Sequence, residues 1–223
     1  MFQKTGKQKY PIVAVDAVIF SVIKNKLNVL LIKIKYGPFA GKWGAPGGKA
    51  GVNETLDQAA RRELFEKTGI KNVYLEQLYS FDDLKRDPKT RIVSVAYFAL
   101  VNSAAAKLKA TGKYEDIIWF PVDKLKKLAY DHNKIIDYAL TRLKYKLEYT
   151  NVVYSLLPEK FTLGELQKVY EAVLKRKLDK RNFRKKMFFL NLIKETGAET
   201  GVPHRPSKLY SFKKRSPMIV EIF

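Results

Sequence analysis

Residues 12–23, IVAVDAVIFSVI, form an apolar, β-branched run broken by the charge of Asp16. That composition predicts a buried strand. Lys24, Asn25 and Lys26 read as a hairpin turn into a second strand over 28–35, with Val29 and Leu31 opposite Leu30, Ile32 and Ile34. The loop that follows, 36–51, is dense in Gly and Pro. A helix then runs toward Gly69, with Asn53 suited to its N-cap, Ala59 and Ala60 inside it, and Gly69 as C-cap. Strands are predicted over 71–80, 91–101 and 115–120. A polar loop over 81–90, a surface connection over 104–113 and a helical turn over 121–128 join them to the next helix. Asp131 caps that helix, from 132 to about 147, where Ile135, Ile136, Ala139, Leu140 and Leu143 recur at helical spacing. His132 reads as a surface residue at its start.

The pattern changes near Tyr149. NVVYSLLP is a short apolar helix stopped by Pro158. Thr162 and Glu165 form a capping box for a helix burying Leu163, Leu166, Val169, Tyr170 and Val173. Asp179 caps a third helix, predicted over 179–194. The stretch GAETGVPHRPSKLYSF reads as a wing with Gly197 and Gly201 near its bends. Three helices and a wing give a winged helix-turn-helix, so two domains are expected, 1–147 and 148–223. No repeats or low-complexity segments interrupt them.

Composition narrows the class. A hydrophobic content of 46% in 223 residues supports a packed core, and the lack of Cys excludes disulfides and Cys-type zinc sites. The apolar runs are too short or too interrupted to span a bilayer, and the first residues lack the apolar core of a signal peptide. A soluble cytoplasmic protein is expected. The net charge of +21 favours an anionic partner, such as nucleic acid, a membrane surface or phosphorylated ligands, over a merely solvated basic surface. It is densest at the end: from Thr150 onward there are sixteen Lys and Arg against seven Asp and Glu.

Two clusters carry the chemistry. In the first helix Glu63, Glu66 and Lys67 share a face. Two carboxylates so placed can hold Mg²⁺ beside substrate phosphates, but Lys67 brings an opposing charge. The second cluster lies between Lys175 and Lys186, where eight of twelve residues are basic and Asp179 is the one acid. Lys180, Arg181, Asn182, Arg184 and Lys185 stand near the start of the third helix, and Phe183, Met187 and Leu190 form its buried face. Such a helix suits the DNA major groove, with Arg matching guanine and Asn matching adenine. His204, Arg205 and Lys208 in the wing suit phosphates or the minor groove.

The segment GKAGVNETLDQAARRELFEKTGI resembles the Nudix box, G-x5-E-x7-R-E-U-x-E-E-x-G-U with U aliphatic. Gly48, Glu54, Arg62, Glu63, Leu64, Glu66, Gly69 and Ile70 match it, and Lys67 replaces a metal-binding Glu. The resemblance implies a Glu54–Arg62 structural brace and a metal and water role for the other acids. With PFAGKWGAPGG, VSVAYFAL, FTLGELQKVYEAVL, DKRNFRKK and RPSKLYSF, the chain resembles Nudix-related transcriptional regulators of the NrtR type. Ala45 stands where many relatives have Leu.

That resemblance implies an α/β Nudix sandwich, layered α/β/α around a mixed sheet, followed by the winged helix. It implies a regulator of NAD-metabolism or sugar-utilisation genes that binds an operator in double-stranded DNA as a homodimer. The effector would be ADP-ribose, a related nucleotide or a pentose sugar, held by Gly47, Gly48, Arg62, Glu63, Glu66 and Lys67. Glu63 and Glu66 would be vestigial as catalytic groups. No metal or cofactor is expected, with Mg²⁺ needed only if hydrolysis is retained. The alternatives are an active hydrolase of a nucleoside-diphosphate sugar such as ADP-ribose, and a structural interaction protein.

Overall fold

The computed structural model describes residues 10–110, 112, 114–201, 203 and 205–222. The first strand, β1 (Ile12–Ile23), turns through Lys24 and Asn25 into β2 (Lys26–Ile34). Both turn residues have positive φ, 48° and 60°, as a two-residue hairpin requires. β1 and β2 pair only from Phe20↔Val29 to Ile23↔Lys26 and then part. Two short strands from the Gly- and Pro-rich loop fill the fork: β3 (Trp43–Gly44) on β2 and β4 (Gly47–Lys49) on β1.

Next come α1 (Leu56–Thr68), β5 (Tyr74–Phe81), β6 (Ile92–Leu100), β7 (Tyr114–Pro121) and α2 (His132–Tyr149). β1 and β6 are parallel, and β5 and β7 add antiparallel edges, giving a seven-stranded mixed sheet. The period of two divides the sheet's side chains between its faces. Val15, Ala17, Ile19 and Ala99 pack toward α1 with Ala59, Ala60 and Leu64. Val18, Phe20, Val29 and Phe98 face α2 through Ile135, Ile136, Ala139 and Leu143. The expected α/β/α layering is present.

Beyond a 3-10 turn at Val152–Leu156 lie β8 (Phe161–Thr162), α3 (Leu163–Leu174), α4 (Lys180–Phe189), β9 (Ile193–Ala198) and β10 (Lys208–Phe212). The strands form a small sheet in the order β8-β10-β9. Thr162 and Glu165 make the capping box at α3, and Asp179 accepts from the Asn182 N–H at α4. Leu166, Val169, Tyr170, Val173, Phe183 and Met187 join the same core that covers the α2 face of the large sheet. The chain's end returns to α2: Val220 and Ile222 donate to the carbonyls of Tyr149 and Glu148 at 2.9 and 2.8 Å. Ile222 is buried there.

Several local expectations change. The N-cap of α1 is Thr55, paired with Gln58 in a capping box, rather than Asn53. The third helix stops at Phe189, because Ile193 and Lys194 enter β9 against β10. Leu163 is only half-buried. Asp131 precedes α2 but makes no side-chain cap, its carboxylate being drawn to Arg86.

Candidate functional site

The fork between β1 and β2 opens onto a cavity of about 470 Å³. Ala14 and Asp16 face it from β1, Ile32 and Ile34 from β2, and Gly47 and Gly48 from β4. Tyr36, Tyr114, Tyr130 and His132 give it aromatic walls.

Its polar floor is a network across distant parts of the chain. The Asp16 carboxylate accepts from Arg86 Nη2 at 2.9 Å and Ser94 Oγ at 2.7 Å. Arg86 also reaches Asp131, Nη2 to Oδ1 at 2.8 Å and Nε to Oδ2 at 3.1 Å. Burial by itself would push the Asp16 carboxyl up, but His132, Arg86 and Ser94 together hold it well below the usual carboxylate range. The Arg86 guanidinium loses to burial and gains more from Asp131 and Asp16, so its affinity for protons rises.

His132 is 4% exposed, not the surface residue expected from its place at a helix start. Its Nδ1 accepts the Ala45 N–H at 2.9 Å. An acceptor at Nδ1 puts the ring proton on Nε2, which faces Asp16 Oδ1 at 3.5 Å. A side chain at Gly44 would place its Cβ 2.6 Å from the same Nδ1, so this approach needs glycine. Sequence reasoning missed Asp16, Arg86 and His132 as a unit. The one signal was the lone carboxylate inside the apolar run of β1.

Behind Gly47 and Gly48 lies the acidic face of α1. Glu54 accepts from the Gly51 N–H at 2.7 Å and from Arg62 Nη2 and Nε at 2.8 and 3.1 Å. Arg62 first, and then the Gly51 N–H, lower the Glu54 carboxyl to about 2. Arg62 Nη1 also donates to Glu63 Oε1 at 2.6 Å. Gly48 is required beside it, since a Cβ there would overlap the Glu63 carboxylate.

Lys67 is 0% exposed. Its ammonium bonds Glu63 Oε2 and reaches Glu66 Oε2 at 3.1 Å. It also lies 5.2 Å from the centre of the Tyr114 ring, whose hydroxyl donates to the Gly47 carbonyl at 3.0 Å. Burial, with Glu63 and Glu66 nearby, raises the Tyr114 phenol well above its ordinary range. Both Glu63 oxygens are thus engaged by cationic side chains. A divalent ion does not fit between Glu63 and Glu66 while the ammonium stays there. Of the residues expected at the ligand, Gly47 and Gly48 line the cavity, whereas Arg62, Glu63, Glu66 and Lys67 form the layer behind it.

At the other end of the molecule, Lys180, Arg181, Asn182, Arg184 and Lys185 are all exposed on α4, with Phe183 and Met187 turned inward. Among the described residues Lys180, Arg181 and Lys185 form no ion pair. Arg184 lies 5.7 Å from the Phe188 ring centre and is close enough to Lys208 of β10 for their charges to repel. Lys208 pairs with Glu195 at 2.9 Å, and Arg205 is exposed. His204 lies outside the described residues.

Residues 12–139 match the NUDIX domain, and residues 153–212 match the NrtR DNA-binding winged helix domain. The chain belongs to the NrtR family of Nudix-related regulators. It is 38% identical over 206 residues to an ADPR responsive transcriptional repressor of Acinetobacter baylyi, covering 91% of this chain and 82% of that protein. It is similar also to Shewanella oneidensis NrtR complexed with a 27mer DNA, at 35% identity and a TM-score of 0.81, covering 90% of this chain and 93% of the other. The NUDIX domain of that NrtR, complexed with ADP ribose, matches 61% of this chain and 90% of its own length at 35% identity, with a TM-score of 0.56. No helix among the described residues is long and apolar enough to cross a membrane.

Proposed function

We propose that this NrtR-family protein is a transcriptional repressor that reads an operator through its winged helix and senses ADP-ribose in its Nudix pocket without hydrolysing it. The observation carrying the proposal is the state of the α1 acids. They lie beside an open pocket, yet Lys67 and Arg62 neutralise them from within. Such a site keeps the cavity of a nucleotide-binding fold and removes the paired free carboxylates that would recruit Mg²⁺. The pocket's size and aromatic walls suit a nucleoside. Exposed Arg181 and Asn182 at the capped start of α4 supply the groups for reading guanine and adenine. One winged helix offers limited base contact, so two copies on two half-sites are expected.

The test is fluorescence anisotropy with an operator selected from random duplexes by the protein itself. Binding is expected to prefer that sequence and to saturate at two chains per duplex. ADP-ribose is expected to change the affinity at least about fivefold, and DNA to change ADP-ribose affinity by the same factor. Equal affinity for all sequences, or no response to ADP-ribose, contradicts the proposal.

A further inference from the structure

The tip of the β1–β2 hairpin meets the turn between α3 and α4. Asn25 lines a recess of about 300 Å³ together with Lys168 and Glu171 of α3 and Lys175, Arg176 and Lys177 of the turn. The turn is fixed to α3: Gln167 Nε2 donates to the Leu178 carbonyl at 2.9 Å, and the Leu178 N–H donates to Glu171 Oε1 at 3.0 Å. Glu171 takes Lys177 as well, at 3.2 Å. The one acid of the recess is therefore committed to holding the turn.

Lys24, Lys26, Lys168 and Lys175 are exposed, and among the described residues none of the four forms an ion pair. Exposed positive charge gathered on two elements that meet suits a polyanion lying across them. The hairpin tip is a two-residue turn, with Lys24 and Asn25 both at positive φ. The turn that lines the recess leads directly into α4, since Asp179, two residues after Lys177, is its N-cap.

We propose that this face, including the Nudix hairpin tip at Lys24 and Lys26, contacts the phosphate backbone of the same duplex that α4 reads. The proposal rests on the DNA-binding reading above and extends the protein–DNA interface from the winged helix onto the Nudix part of the chain. The strands that carry the tip also carry Asp16 and Ile32 to the pocket. A duplex seated on the tip is thus joined to the effector site by continuous backbone.

The test uses the full chain with Lys24→Asn and Lys26→Gln together, since Asn tolerates the positive φ at position 24. A control, Lys42→Gln with Lys85→Gln, removes equal charge at the opposite end of the hairpin strands. Affinity for a random-sequence duplex is measured from 50 to 200 mM KCl. Each lost phosphate contact lowers the magnitude of the salt slope by about 0.9, so the hairpin variant should lose about 1.8 while the control stays near the parent. A hairpin variant equal to the control, in a series where Lys185→Ala lowers affinity and slope, overturns the proposal and leaves the DNA-binding reading standing. Failure of the parent to bind any duplex overturns both.

Discussion

Lys67 stands one helical turn beyond Glu63, and its buried ammonium is shared between that carboxylate and Glu66. The order Glu then Lys at i,i+4 is the favourable one in a helix. Here it is also buried, which makes each partner costly to remove alone.

Lys67→Met keeps the length and loses the charge. It leaves Glu63 buried with Arg62 as its remaining cation, and is expected to cost about 3 kcal/mol in urea unfolding. Lys67→Glu converges three carboxylates. Its Tm should fall in EDTA and recover with millimolar Mg²⁺, while the parent's Tm ignores the metal. A Lys67→Met protein as stable as the parent would contradict the buried pair.

His132→Leu removes the acceptor of the Ala45 N–H and the neighbour of Asp16. An unsatisfied buried donor costs about 1–3 kcal/mol, and the pocket floor loses its anchor. Urea unfolding should register the loss, and calorimetry should register weaker ADP-ribose binding than in a Tyr145→Phe control on the exposed side of α2.

The Glu54–Arg62 brace has a pH signature. The Glu54 carboxyl is lowered from 4.5 to about 2 in the folded protein, chiefly by Arg62. Its contribution is therefore fully present above pH 4.5 and fades as pH falls toward 2. Glu54→Gln should be less stable than the parent at pH 6, with the gap closing across that window. Urea midpoints at pH 6, 4 and 2.5 measure it. A gap independent of pH would contradict the ionic brace.

On α4, Arg181→Ala or Asn182→Ala should cost about 1–3 kcal/mol on the selected operator and little on random DNA if the residue reads a base. Lys185→Ala should weaken all duplexes evenly and lower the salt slope by about 0.9. Anisotropy at two salt concentrations separates the two patterns. Unchanged binding in all three variants would remove α4 from the interface.

Signals that act within one turn of chain were legible in the sequence. The Thr162–Glu165 box, the Asp179 cap and Gly69 at the end of α1 are fixed by neighbours three or four residues away. Asn53 and Thr55 are both capping types, and the Thr55–Gln58 reciprocity decides between them. The end of α4 was not legible, because FFLNLI is apolar enough for helix or strand, and pairing with β10 makes the choice. The pocket floor was hidden for a stronger reason. Arg86 meets Asp16 across 70 residues, and His132 meets Ala45 across 87. Nothing local marks His132 as buried. Asp131 reads as a cap until Arg86 draws it away.

The most direct test is calorimetry of the parent protein with ADP-ribose in EDTA, followed by chromatography of the nucleotide after incubation with Mg²⁺. The expected result is binding of one ADP-ribose per chain without metal, with the nucleotide recovered intact. Binding that requires Mg²⁺, or steady conversion of ADP-ribose to AMP and ribose phosphate, would contradict a sensor closed by its own lysine.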